Sequence, residues 1–118
     1  MADRVLFIGW NRPIVGREQL ALQLWQKAME YYGKLQSNGR IESFEPVLLN
    51  AHGGDLNGFV MLKGNAEKLS EIRREDPFVD LVIDAEYCLQ GFGVVTGYVG
   101  EGIADIFGRW TKVIGGQS

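Results

Sequence analysis

The stretch RIESFEPVLLN-AHGGDLNG-FVMLK, from Arg40 to Lys63, decides the fold of this chain. Its outer parts, Arg40 to Asn50 and Phe59 to Lys63, are short and rich in apolar residues, which is typical of strands. A glycine-rich connection of about eight residues between neighbouring strands predicts a long hairpin. Pro46 cannot donate to a ladder, so the first of the two is expected at a sheet edge or a bulge.

The segments before this hairpin predict one strand and one helix. Val5 to Trp10 is short, largely apolar and bounded by Asn11-Arg12-Pro13, which favours a strand buried on both faces. The stretch 16–38 is polar-rich and carries apolar residues at helical spacing, which predicts an amphipathic helix ended by Gly39. Its predicted inner face contains Ala21, Leu24, Trp25, Ala28, Tyr32 and Leu35.

The segments after the hairpin predict a helix, a strand and a further helix. Asn65 is a suitable N-cap for a helix that Asp76-Pro77 interrupts, with Asp76 capping the second part. Gly91 to Val99 predicts a strand, and an amphipathic C-terminal helix follows before a flexible tail, 115–118. The apolar face of that helix comprises Ile103, Ile106, Phe107, Trp110, Val113 and Ile114.

The resulting order is β-α-β-β-α-β with an extra C-terminal helix. Two right-handed crossovers on a four-stranded antiparallel sheet give an α+β, ferredoxin-like plan. The length of 118 residues favours a single domain, 1–118.

This order, together with Arg73-Arg74-Glu75-Asp76-Pro77-Phe78, resembles the dimeric α/β-barrel superfamily. The Asp-Pro-aromatic element is similar to the one that breaks the second helix of YCII-like proteins. The resemblance implies a site role for Asp76, beside a histidine of the first helix. This chain has no histidine there, because its only one is His52.

The resemblance also implies a homodimer. Strands one and three are apolar on both faces, whereas helices cover only one face of such a sheet. A partner is therefore expected to cover the other face, and the C-terminal helix is expected to lie across the dimer or cap the barrel mouth.

Composition narrows the classes of partner. Twelve basic and fifteen acidic residues give a net charge of −3 without a basic run, so no nucleic-acid partner is expected. No segment approaches a membrane span, and the lone Cys88 suits a reducing compartment. These features predict a soluble, cytoplasmic protein with no membrane partner.

His52 and Asp55 lie three residues apart in the glycine-rich hairpin loop. They form a candidate catalytic pair, in which the carboxylate orients the ring and raises its basicity. The alternative is a loop histidine bonded to nearby backbone, with Asp55 forming an Asx-type turn.

Candidate ligand-binding residues lie on the first and last strands. Trp10, Asn11 and Arg12 offer an aromatic wall, an amide and a cation for an anionic or aromatic molecule. The alternative is a packed tryptophan and a solvated arginine. Tyr98 projects from the bulky side of the last strand, whose other side carries Gly93 and Gly97; close helix packing is the favoured reason for those glycines.

No cofactor or metal site is expected. Gly91-Phe92-Gly93 lacks the spacing of a dinucleotide fingerprint. Asp80, Asp84 and Glu86 are interpreted as a solvated helix face, and Cys88 as a small buried hydrophobe.

Three functions remain open. The first is binding of a small apolar or aromatic molecule. The second is a cofactor-independent isomerase or monooxygenase, with His52 as base, Asp55 as its orienter, and Arg12 or Asn11 stabilising the developing anion. The third is a structural or regulatory subunit that docks through the C-terminal helix.

Overall fold

The computed structural model describes residues 2–116, so Gln117 and Ser118 of the predicted tail lie outside the described residues. Strands and helices follow the order β-β-α-β-β-α-α-β-β-α. Their bounds are β1 Arg4–Trp10, β2 Arg12–Pro13, α1 Glu18–Ser37, β3 Ser43–Leu48, β4 Gly58–Gly64, α2 Ala66–Arg74, α3 Asp76–Cys88, β5 Leu89–Gln90, β6 Gly93–Tyr98 and α4 Glu101–Gly115.

The main sheet has the strand order β3-β4-β1-β6, and every neighbouring pair is antiparallel. β1 is central, with Leu6 opposite Leu62 of β4 and Thr96 of β6. The long hairpin is the β3–β4 pair, and Pro46 lies on an edge strand opposite Val60, as predicted. The predicted ferredoxin-like α+β plan is confirmed.

The core lies between one face of this sheet and the helices. Alternation along each strand sends Leu6, Ile8, Val60 and Leu62 to the same face. These side chains pack in one cluster with buried residues of the helices, namely Tyr32, Leu35, Leu69, Ile72 and Phe78.

The second predicted helix is divided at the predicted place but capped differently. The side chain of Asn65 accepts a hydrogen bond from the amide of Lys68 at 2.8 Å, as expected of an N-cap. Glu75, and not Asp76, is the N-cap of α3, and Asp76 is the first helical residue. The Glu75 carboxylate instead accepts two hydrogen bonds from Arg40, both of 2.7 Å.

A two-stranded ladder, β2–β5, is present in addition to the predicted elements. Arg12 lies opposite Gln90 and Pro13 opposite Leu89. The ladder connects the end of β1 to the end of α3. Arg17 reinforces the same end of the fold, because its guanidinium donates to the carbonyl of Tyr87 at 2.8 Å and lies over that ring.

The glycine side of β6 faces away from α1, α2 and α3. Val94 packs against the core, whereas the adjacent Val95 is 57% exposed on the opposite face. A Cβ at Gly93 would meet no atom within 4 Å, and one at Gly97 would approach only Val5 of the neighbouring strand. The prediction that a helix packs closely on these glycines is therefore wrong.

The two edge strands of the sheet differ. β3 contains Pro46, which has no amide hydrogen to offer to another strand. β6 contains neither proline nor a charged residue, and Arg73 donates a hydrogen bond to the carbonyl of Val94 at 3.2 Å.

α4 is the predicted extra helix, and it contacts the rest of the protein mainly through its first turn. Gly102 is its one buried residue, and a Cβ there would collide with the carbonyl oxygen of Asp3. Within residues 2–116, no helix has both the length and the apolar character needed to cross a bilayer.

A candidate ligand cavity between the sheet and the helices

A cavity of about 460 Å³ lies between the core-facing side of the sheet and helices α1 and α3. The main sheet contributes Ile8, Trp10, Leu48 and Val60 to its wall. The rest of the lining comes chiefly from α1, α3 and the segment that enters β6, and is apolar except for Glu18 at the start of α1 and the polar atoms of its Trp and Tyr side chains. The principal residues of this second group are Ala21, Trp25, Ala28, Tyr32, Phe78, Leu81, Val82, Ala85 and Phe92.

Small side chains on the facing helices leave this space open. Ala21 and Ala28 are two helical turns apart on α1, and Ala85 lines the same cavity from α3. Each ends at Cβ, so the gap between helix and sheet is not filled at these points. The cavity therefore follows from the same inner-face pattern that predicts the core.

Trp10 is positioned by a glycine on the neighbouring strand. Its directly opposed residue on β4 is Gly58, and a Cβ there would lie 2.6 Å from Cζ2 of the indole. The absence of a side chain at Gly58 allows the indole to lie across β4. The ring then meets Trp25 edge to face, with 6.0 Å between the ring centroids and an interplanar angle of 75°.

Tyr32 supplies a polar group within this apolar lining. The residue is 4% exposed, and burial raises the pKa of its phenol well above the usual value. None of the hydrogen bonds among residues 2–116 involves its hydroxyl. A neutral phenol in this position can donate a hydrogen bond to a bound molecule.

Asn11 lies beside the cavity end of β1 but does not line the cavity. Its side-chain oxygen accepts a hydrogen bond from the amide of Asn57, which also donates to the carbonyl of Gly54 at 3.1 Å. The backbone of Asn57 donates to the carbonyl of Trp10 at 2.9 Å. Asn11 and Asn57 therefore fasten the long hairpin loop to the end of β1.

The structure does not bring His52 or Asp55 into the cavity. Both are exposed in the hairpin loop, and Nδ1 of His52 lies 2.9 Å from the carbonyl oxygen of Asn50. Within the described part of the chain, no hydrogen bond or ion pair joins the two side chains. The catalytic roles of His52 and Asp55 stay predictions.

The other predicted site residues are also dispersed. Arg12 is exposed on β2, and Asp76 is exposed at the start of α3. Tyr98 lies near the far end of β6, where the guanidinium of Arg4 is 4.5 Å from its ring centroid. Of the seven predicted site residues, Trp10 alone lines the cavity.

Cys88 and the acidic residues of α3 contribute no reactive group to the cavity. Cys88 is buried, and burial followed by the charge of Asp84 raises the pKa of its thiol. Asp80, Asp84 and Glu86 are exposed. No group of three or more His, Cys, Asp or Glu side chains suited to a metal ion occurs between residues 2 and 116.

The sequence predicts the main lining residues as buried core residues, and it does not show that they also line a cavity. Trp25, Ala28 and Tyr32 belong to the predicted inner face of the first helix. Their spacing gives no sign of an unfilled volume, because the same spacing serves a filled core.

Comparison with solved structures gives matches that cover most of the chain. A hydroxynitrile lyase from Passiflora edulis has a TM-score of 0.65 and 11% identity, and the match covers 86% of this chain and 97% of that one. A dimeric protein of unknown function and ferredoxin-like fold from Bacteroides fragilis has a TM-score of 0.62 and 11% identity, covering 84% and 98%. A dimeric ferredoxin-like protein of unknown function from Thermobifida fusca has a TM-score of 0.61 and 10% identity, and the match covers 84% of this chain and 93% of that one.

These likenesses confirm the ferredoxin-like fold. They do not confirm the similarity to YCII-like proteins. No protein-family model matches the chain, and no curated protein matches it.

Proposed function

We propose that this protein binds a small apolar or aromatic molecule in the cavity between the sheet and helices α1 and α3. The observation that carries the proposal is the cavity itself, about 460 Å³ of space that is open on one side and lined mostly by apolar side chains. Ligand sites of proteins are typically concave, of about 300–1,000 Å³, and mostly apolar with a few polar groups.

The lining favours a flat aromatic ligand with one polar atom. Trp10 and Trp25 offer ring edges and faces, which pack well against a second aromatic system. The lining residues that carry polar groups are Glu18, Tyr32 and the two tryptophans. Among these groups we assign the orienting role to the neutral hydroxyl of Tyr32, which can donate to an uncharged ligand. A ligand that carries a carbonyl or ether oxygen would accept its hydrogen bond.

We propose further that the protein works as a homodimer through the open face of the sheet. This face carries Phe7 and Phe59, which stack with ring centroids 4.9 Å apart, together with Met61 and the exposed Val95. Packing a second sheet on these side chains would remove them from water. The dimeric neighbours from Bacteroides fragilis and Thermobifida fusca support this arrangement.

The proposal includes a single domain over residues 1–118 and a cytoplasmic location. One core cluster includes residues from β1, β4, α1, α2 and α3, which supports the single domain. The lone cysteine is buried and unpaired, which supports a reducing compartment.

Binding can be tested with 2-acetylnaphthalene, a planar ketone whose fluorescence reports its surroundings. We expect saturable binding, and we expect Ala28→Phe to weaken it at least tenfold because the new ring occupies the cavity. Ala66→Phe is the matched control, since it adds the same ring at an exposed helical position outside the cavity. Equal affinity of both variants for the probe, or no saturable binding by the wild type, would refute the proposal.

A further inference from the structure

The C-terminal helix α4 exposes an apolar seam that the other residues between 2 and 116 do not cover. Four residues form this seam, and their exposed fractions are 43% for Ile103, 55% for Phe107, 53% for Trp110 and 72% for Ile114. Phe107 and Trp110 contact each other, with ring centroids 5.2 Å apart. An isolated helix of about 15 residues is marginal in water, so α4 needs packing partners to be stable.

The spacing of the seam fits another helix as its partner. Its residues follow one another at intervals of four, three and four positions, which is the a/d spacing of a helix-pairing seam. The polar face carries two acidic residues, Glu101 and Asp105, and two basic ones, Arg109 and Lys112. These charges balance, so α4 offers no electrostatic attraction to an anionic membrane surface.

We propose that α4 pairs antiparallel with α4 of a second copy of this chain. A two-fold axis midway between positions 108 and 109 brings Ile103 level with Ile114 of the second copy. The same axis brings Phe107 level with Trp110 of the second copy. The seam is therefore self-complementary in the antiparallel direction, as a symmetric interface between identical chains requires.

Charge follows the same symmetry. The acidic residues of α4 lie in its first half and the basic ones in its second half. The two-fold axis brings Asp105 level with Lys112 of the second copy, so opposite charges lie at the same height along the pair. A parallel pair would bring like charges level, and the helix dipoles would also repel.

The exposed area of the seam is close to what a specific contact needs. From their exposed fractions, the four seam residues present roughly 500 Å² per copy, and a pair that covers them approaches the roughly 1,000 Å² expected of a specific interface. The aromatic residues lie at the centre of the seam, where truncation is expected to cost most.

Disulfide trapping tests this pairing and its direction. The double variant Ile103→Cys/Ile114→Cys should form a covalent dimer under copper–phenanthroline oxidation in air. Neither single variant should form a covalent dimer. In an antiparallel pair, residue 103 of one copy lies roughly 16 Å along the helix axis from residue 103 of the other, and the same holds for residue 114. Wild-type protein, with Cys88 buried, is the control for background oxidation.

Added substitutions test whether trapping depends on the seam, and a vesicle assay tests whether a lipid surface binds the seam instead. Phe107→Ser/Trp110→Ser in the double-cysteine background should abolish trapping, whereas Ile83→Ser, an exposed apolar residue of α3, should not. Efficient trapping of Ile103→Cys alone, or no trapping of the double variant, would overturn the proposal. Seam-dependent sedimentation with phosphatidylcholine–phosphatidylserine vesicles would also overturn it, in favour of a lipid surface. The pairing of α4 goes beyond the proposed cavity function, and the two are tested separately. Failure of 2-acetylnaphthalene to bind would refute the cavity function without contradicting the pairing.

Discussion

Replacing Gly58 by alanine tests how the cavity is built. A Cβ at this position would lie 2.6, 2.7 and 2.8 Å from Cζ2, Cε2 and Nε1 of Trp10. Ordinary carbon contacts are about 3.5–4.0 Å, so the indole has to shift by about 1 Å. Trp25 limits that movement, because its ring already meets the indole edge to face.

The expected result is a loss of stability together with a loss of binding. Overpacking typically lowers the free energy of unfolding by about 1–3 kcal/mol. Replacing glycine by alanine also lowers the entropy of the unfolded chain, which raises the free energy of unfolding by up to about 1 kcal/mol. We expect the free energy of unfolding in urea to fall by about 1–2 kcal/mol. Affinity for 2-acetylnaphthalene should fall at least tenfold, because the displaced indole intrudes on the cavity.

Gly33→Ala is the control for this experiment. Gly33 lies in the interior of α1, outside the cavity lining and away from the open face of the sheet, and a Cβ there would meet no atom within 4 Å. We expect its stability to be raised by up to about 1 kcal/mol. If Gly58→Ala unfolds at the same urea concentration as the wild type and binds the probe equally well, the account of Trp10 is refuted.

Three further predictions concern single side chains. Tyr32→Phe should leave the free energy of unfolding within about 0.5 kcal/mol of wild type, because the hydroxyl has no hydrogen-bond partner in the described chain. Calorimetry should show that this variant binds 2-acetylnaphthalene more weakly but binds 2-ethylnaphthalene, which has no carbonyl oxygen, as well as the wild type does. His52→Asn should leave probe affinity unchanged, since His52 does not line the cavity, and a tenfold loss would place the hairpin loop in the site. The hydrogen bonds from Arg40 lower the pKa of Glu75 below its usual 4.5, so this contact stabilises the fold above that pH and is lost as the pH falls through the lowered value. Urea titrations should accordingly show a stability difference between wild type and Glu75→Gln at neutral pH that shrinks below pH 4.5, and a difference independent of pH would contradict the assignment.

The order of strands and helices could be predicted because each main segment carries its own periodic pattern. Alternating or continuous apolar runs mark β1, β4 and β6, and Asn65 marks the start of α2 through the hydrogen bond that its side chain accepts. The β2–β5 ladder was missed because two residues per strand are too few to show a period.

The candidate site could be predicted only in part. Trp10 is a candidate from the sequence because a large aromatic residue at a strand end is conspicuous, and the structure places it in the cavity wall. The space beside it depends on how closely α1 approaches the sheet, which is a non-local property of packing. The loop with His52 and Asp55 carries conspicuous chemistry, but the sequence does not show which way such a loop projects.

The unequal edges of the sheet have a consequence for how the protein avoids aggregation. A strand that presents free amides and carbonyls along a flat edge can template the addition of foreign strands, which is how many aggregates grow. Pro46 interrupts that template on β3. On β6, the hydrogen bond from Arg73 occupies the carbonyl of Val94, which an incoming strand would otherwise use. One side chain outside the cavity lining thus occupies part of the edge that a fifth strand would need.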